Sequence, residues 1–398
     1  MAMAALPPTL DIDPFSDQFL ADPYPDHEAL REAGPVVWLE KYEIYASARH
    51  AEVQSALQDW RTFSSAAGVG LADFRKEKPF RPPSLVLETD PPLHDRTRPA
   101  LAVALSPSAL RDLKPTFTAE AHGLVDRLVS RGVFDAVTDL AEVYPIHVFA
   151  DALGLCEDGR ENLLPYAAML FNDFGPRNRL FEETLRGADA ARDWVMKQCD
   201  RAALRPGSLG TRVFAAADRG EVSEEEAGML VRSLLSAGLD TTVYALGNAL
   251  FAFATHPEAW ARLRVQPDLA RGAFEEVLRF ESSVQTFFRT TTTATELGGS
   301  ELPAGAKILL FLGAANRDPR RWEEPERFDI GRKTTGHVAF GYGIHSCVGQ
   351  TVARLEGEII LTALAERVER IELAGPPVRR LNNTLRGLAR LPLRVTPS

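Results

Sequence analysis

The chain has 398 residues, 45% of them hydrophobic, and a formal net charge of −10. That length and apolar content suffice for a large core, and the acidic total excludes general attraction to nucleic acid or anionic lipid as the main activity. Its three cysteines, Cys156, Cys199 and Cys347, are too few and too widely spaced for a disulfide framework or a paired zinc-ligand pattern.

The first residues, Met1 to Pro8, lack a basic region followed by an apolar run, which predicts neither signal peptide nor membrane anchor and hence a cytosolic protein. Pro7, Pro8, Pro14, Pro23 and Pro25 predict an irregular arm over about residues 1–25, and the aromatic and β-branched content from Val36 to Tyr45 predicts a short hairpin. From Pro91 to about Glu281 apolar residues recur at helical spacing, as in Phe117 to Leu128 and Ala188 to Cys199. Strand-like runs return at Thr286 to Leu297, at Lys307 to Leu312 and near the C-terminus. With no internal repeat and no long hydrophilic linker, residues 1–398 read as one domain, mostly α with a small β subdomain.

One helix is predicted to begin at Ser223, where Ser223 and Glu226 form a capping box, and to run until Pro257 stops it. Such a helix is about 50 Å long and, being apolar nearly all round, belongs in the core. Its uncharged stretch, Thr241 to Thr255, is shorter than the roughly 20 residues that span a bilayer. Asp240 and Thr241 interrupt the apolar run, and Gly238 weakens the helix by about 1 kcal/mol relative to alanine.

Cys347 lies in Phe340-Gly341-Tyr342-Gly343-Ile344-His345-Ser346-Cys347-Val348-Gly349, just ahead of another predicted helix. A thiolate metal ligand needs backbone N–H donors and a helix N-terminus aimed at sulfur. Gly341, Gly343 and Gly349 permit a sharp turn and close approach to a flat macrocycle, which Phe340 is placed to cover. The stretch resembles the cysteine signature of the cytochromes P-450, the haem-thiolate monooxygenases, at every fixed position.

The resemblance extends over essentially the whole chain and implies the triangular-prism fold with Cys347 as axial ligand of haem b iron. It implies that Asp240 and Thr241, in Ala237-Gly238-Leu239-Asp240-Thr241, deliver protons to and hydrogen-bond the oxygen ligand, with Gly238 leaving room beside the macrocycle. Asp90-Pro91-Pro92-Leu93-His94-Asp95-Arg96-Thr97-Arg98 matches the segment that supplies propionate partners, here His94 and Arg98, and Arg289 and His345 complete that set. Glu276 and Arg279 match a structural ion pair whose third member is either Arg327 or Arg332.

A narrower resemblance links the chain to members that oxidise para-substituted benzoates. It places Arg81, Ser84, Arg232, Ser233 and Ser236 at the substrate carboxylate and Leu87, Phe171, Phe174, Val284 and Phe287 around the ring. Arg192 departs from that pattern, which has an uncharged glutamine, and predicts altered tolerance of ring substituents or acid length. The expected reaction is insertion of one oxygen atom from O2 at the para substituent, by O-demethylation or hydroxylation. Electrons are expected from NAD(P)H through a flavin-containing reductase and a ferredoxin that docks a monomer near Arg96, Arg354 and Lys333, with no nucleic acid or membrane partner. The rival readings are a peroxide-driven peroxygenase, a monooxygenase of another small apolar substrate, and a haem sensor without turnover.

Overall fold

The computed structural model describes residues 7–398, so the expectation for residues 1–6 lies outside the described residues. The rest of the arm is more ordered than its prolines suggest. The Trp38 N–H donates to Pro8 O at 2.8 Å and seats Thr9–Leu10 parallel to Val37–Leu39. Helices Asp17–Ala21 and Tyr24–Ala33 follow, and Pro25 sits in the first turn of the second, where a missing N–H leaves no helical bond unmade.

The predicted hairpin forms as Val37–Leu39 against Ile44–Ser47 and joins a six-stranded mixed sheet. Lys307–Phe311 lies inside that sheet between Ile44–Ser47 and Thr286–Thr291. Its side chains alternate as a pleated strand requires: Leu309 and Phe311 pack with Phe15, Leu30 and Phe288, while Ile308 and Leu310 face Val53, Leu57 and Phe63. The body from Leu93 to Glu281 is mainly helical, and its one described strand, Val133–Asp135, pairs with Pro392–Pro397. The architecture is mostly α with a smaller β region. No helix among the described residues is long and apolar enough to cross a membrane.

The central helix departs from the single rod predicted for Ser223 to Pro257. The capping box forms, and Pro257 opens the next helix, but the run divides into Glu224–Ala237 and Asp240–Thr255 around Gly238 and Leu239. Crowding explains the position of the break. A Cβ on Gly238 would lie 2.5 Å from the Phe149 ring and 2.6 Å from Leu234 O, so Gly238 is required by the neighbouring helix Val143–Leu153 as well as by its own. Overpacking at such a point costs about 1–3 kcal/mol. At the break, Ala237 O accepts the Thr241 hydroxyl at 3.0 Å.

Glu276 and Arg279, on helix Ala270–Glu281, are both fully buried and paired through two bonds of 2.7 and 2.8 Å. Arg279 also donates to Asn316 O and Pro325 O, and Glu276 accepts the Asp329 N–H. The third ionic member is Arg332, whose Nε donates to Glu276 at 3.2 Å, whereas the Arg327 guanidinium turns to Glu324. Asn316 continues the brace by accepting the Val338 N–H at 2.8 Å, two residues before Phe340.

Candidate active site

Gly341 and Gly343 both have φ of +68°, the left-handed region that side chains disfavour. A Cβ on Gly343 would also sit 2.7 Å from Leu57 O. These turns let the Cys347 N–H donate back to Phe340 O at 2.8 Å and point the sulfur into a cavity. Gly349 has ordinary helical-side geometry, φ −86°, and a Cβ there would meet Sγ at 3.9 Å. Gly341 and Gly343 therefore make the sharp turn, and Gly349 aims its N–H at the sulfur. Burial pushes the Cys347 pKa up, and the Gly349 N–H, Arg98, Arg354 and the Gln350 N–H pull it back. Cys347 is accessible, and it lines the cavity.

That cavity encloses about 1670 Å³, part of it open to solvent. Phe340, Cys347 and Val352 line it together with Ala237, Gly238, Thr241 and Ala245 of the central helix region. Phe340 carries Arg354 over its ring at 4.6 Å.

The side chains at the edge fit a group with two carboxylates. His94 is 2% exposed and neither ring nitrogen makes a hydrogen bond; the nearest Asp95 oxygen is 3.6 Å away. Arg289 is 3% exposed, donates only to Phe288 O, and burial pushes its pKa down to about 10. Arg98 donates to Ser346 O and has no carboxylate partner among the described residues. Buried cations and donors of this kind are costly unless an anion meets them. His345 differs from expectation. Its Nδ1 lies 3.1 Å from Val86 O and its Nε2 3.1 Å from Asp90 Oδ1, so the protein already supplies acceptors to both nitrogens.

Asp240 is 1% exposed, with Oδ2 unpartnered, and burial pushes its pKa up to about 7. Arg380 opposes that shift and is itself paired with Glu142 at 3.1 Å. Thr241 lines the cavity; its bond to Ala237 O is the back-bond open to any helical threonine.

At the other end Ser84 Oγ and Ser233 Oγ lie 3.3 Å apart, and Ser236 donates to Ser233 O. Arg81 is not a free positive charge. Glu88, which the sequence reading missed, binds it through bonds of 2.7 and 2.9 Å and also accepts the Ser84 N–H at 2.8 Å. The only available signal was Glu88 standing alone in an apolar run four residues after Ser84. Arg232 is the uncompensated cation: it is 3% exposed and donates to Pro82 O and Pro83 O. Phe174 meets Phe171 and Phe287 edge-on at 5.8 and 5.7 Å, with Leu87 and Val284 beside them.

Arg192 lies outside this constellation, half-exposed and paired with Asp189 at 2.8 Å, so it does not reach the ring. Two of the three expected docking cations are also engaged: Arg96 forks onto Glu226, and Arg354 is tied to Glu275 and Gln350, whereas Lys333 forms no ion pair among the described residues.

Comparison with known proteins gives consistent results. A family model described as Cytochrome P450 matches residues 208–392. Cytochrome p450 CYP199A2 of Rhodopseudomonas palustris is 56% identical over 392 residues, covering 98% of this chain and 95% of its own. Beta-dihydromenaquinone-9 omega-hydroxylase of Mycobacterium tuberculosis is 34% identical over 394 residues, covering 97% of this chain and 79% of its own. Among solved structures, cytochrome P450 CYP109Q5 from Chondromyces apiculatus has a TM-score of 0.82 at 31% identity, covering 98% of this chain and 99% of that one. Cytochrome P450 CREJ in complex with (4-ethylphenyl) dihydrogen phosphate has a TM-score of 0.85 at 26% identity, covering 96% and 99%.

Proposed function

The chain belongs to the cytochrome P450 family, and from that premise we propose that it oxidises an aromatic carboxylic acid at the substituent para to the carboxylate, by O-demethylation or hydroxylation. As a P450 monooxygenase it uses haem b, O2 and reducing equivalents that reach it from NAD(P)H through partner proteins. In this reading those partners are a ferredoxin and its flavin-containing reductase. Bound haem would supply oxygen activation, with Cys347 as the residue that would hold its iron and His94, Arg98 and Arg289 as those that would meet its propionates.

The observation that carries the substrate assignment is Arg232, a buried guanidinium with no carboxylate partner among the described residues, lining a cavity beside the Ser84 and Ser233 hydroxyls. A substrate carboxylate there neutralises Arg232 and takes hydrogen bonds from the serines. Phe171, Phe174 and Phe287 grip the ring. The aryl phosphate bound by the related CREJ protein is likewise a para-substituted aromatic anion.

Following the Soret band tests this. 4-Methoxybenzoate is expected to shift the spin state and be oxidised at its para group, with the methyl ester and the meta isomer far weaker, because a site built for hydrogen bonds strongly rejects analogues that cannot make them. Ser233→Ala is expected to weaken acid binding about ten-fold and leave the haem spectrum unchanged. Tight binding of neutral terpenes or esters, with no response to para acids, overturns the assignment.

Asp240 and Thr241 act on protons and hydrogen bonds in the same reading. Thr241→Ala is expected to divert reducing equivalents to hydrogen peroxide, and Asp240→Asn to slow turnover with little effect on substrate affinity. The raised pKa of Asp240 adds a stability signature. Its contribution is complete below the unfolded value of 3.8 and is lost as pH rises through about 7. The gain in melting temperature of Asp240→Asn is therefore expected to grow from about pH 5 to about pH 7 and then level off. Undiminished product yield per nicotinamide oxidised in Thr241→Ala removes its role.

A further inference from the structure

Lys307, at the start of strand Lys307–Phe311, places its ammonium among three backbone carbonyls: Ala67 O at 3.1 Å, Gly68 O at 2.9 Å and Gly70 O at 2.9 Å. The intervening Val69 O accepts the Phe288 N–H at 2.9 Å, so every carbonyl from 67 to 70 is held by residues of two adjacent strands, Thr286–Thr291 and Lys307–Phe311. The loop bears in turn on the cavity. A Cβ on Gly70 would lie 2.7 Å from Phe174 Cα, and the Leu71 N–H donates to Phe174 O at 2.8 Å. Gly68 has φ of +91°, which lets the loop turn its carbonyls inward.

We propose that Lys307 is a positioning residue for substrate binding, its ammonium gathering the 67–70 carbonyls so that Phe174 is fixed against Phe171 and Phe287. The inference rests on reading that aromatic wall as the substrate site. A lysine is suited to this role because an ammonium has three donors, one for each carbonyl, and its charge strengthens each bond. A neutral amine has two. Burial pushes the Lys307 pKa down to about 8; Asp73 and Glu88 oppose the shift, and Arg75 and Arg289 reinforce it. Deprotonation therefore frees one carbonyl and loosens the loop within reach of ordinary buffers. Between about 8 and 10.5 the unfolded chain keeps a proton that the folded chain has lost, so this titration by itself raises global stability with pH. Weaker binding in that window is a local effect.

The test uses the holoenzyme. Dissociation constants for 4-methoxybenzoate and for 4-phenylimidazole, which needs the aromatic wall but not the acid-binding end, are expected to rise about ten-fold between about pH 7.5 and 9. Lys307→Met is expected to bind both weakly and without that pH dependence. Constants that stay flat in the parent protein, or a rise that persists in Lys307→Met, overturn the proposal. Should Lys307→Met fail to fold, exchange at the Leu71 amide of the parent decides: protection is expected to fall through about pH 8, and unchanged protection overturns it. If 4-phenylimidazole follows the pattern while 4-methoxybenzoate never perturbs the Soret band, the acid-substrate reading fails and the role of Lys307 stands.

Discussion

Cys347→Ser is expected to abolish the long-wavelength absorption of the reduced carbon monoxide complex and to lower turnover by more than about a hundred-fold, since even outer-sphere changes at metal sites cost ten- to a hundred-fold. Serine is nearly isosteric but keeps its proton, and without a thiolate no sulfur charge reaches iron. The fold is expected to survive, because the Cys347 side chain faces the cavity and the loop is held by its backbone, through the Cys347 N–H on Phe340 O and the turns at Gly341 and Gly343. The other cysteines offer no substitute. Cys156 is at the surface against Asp158 O, and Cys199 is buried, donates to Val195 O and has its pKa pushed up to about 12. Unchanged far-ultraviolet circular dichroism with loss of the band is the expected pair of results. Retention of the band in Cys347→Ser sinks the assignment of the ligand.

Glu276→Gln is expected to cost about 3–5 kcal/mol, the usual effect of removing one partner from a buried ion pair. Against a total stability of about 5–15 kcal/mol this is a large fraction. Arg279 is fully buried, so without the Glu276 charge its own has no solvent to relax into, and glutamine puts an NH2 donor where one carboxylate oxygen accepted, leaving a single oxygen for Arg279, Arg332 and the Asp329 N–H. The damage is expected to reach the haem: the same network holds Asn316, which fixes Val338 ahead of the cysteine loop. Urea unfolding followed by far-ultraviolet signal and by the carbon monoxide band is expected to show both transitions moving to lower denaturant. The exposed pair Arg179 and Glu183 provides the control, since Glu183→Gln removes a solvated i,i+4 contact and is expected to change neither transition measurably. A Glu276→Gln protein within about 1 kcal/mol of the parent contradicts the bracing role.

Several parts of this site were legible because their chemistry is written in neighbouring positions. The cysteine loop is ten consecutive residues, and its glycines at alternate places specify a turn wherever they occur. Ser223 and Glu226 meet as a capping box because they are three positions apart at a helix start, and Glu276 reaches Arg279 across the same spacing. The apolar run after Lys307 read as a strand from neighbouring residues alone, and the strand forms with both of its faces buried.

Long-range contacts decided what those residues are able to do. Both Arg81 and Arg232 read as positive charges for a substrate acid, but Glu88 neutralises the first, while the second donates to backbone carbonyls and has no carboxylate ion pair among the described residues. Arg332 rather than Arg327 completes the Glu276 network because its side chain turns inward. The central helix breaks where the Phe149 ring, on another helix, occupies the space beside Gly238, and Lys307 finds its carbonyls more than two hundred residues upstream. The physical reason is common to these cases. Local spacing sets which backbone shape is available, so the chain alone determined the helices, the turns and the identity of the motif. Charge, pKa and helix continuity depend on desolvation and on atoms that fill the neighbouring volume, and only the tertiary structure decides which side chains those are.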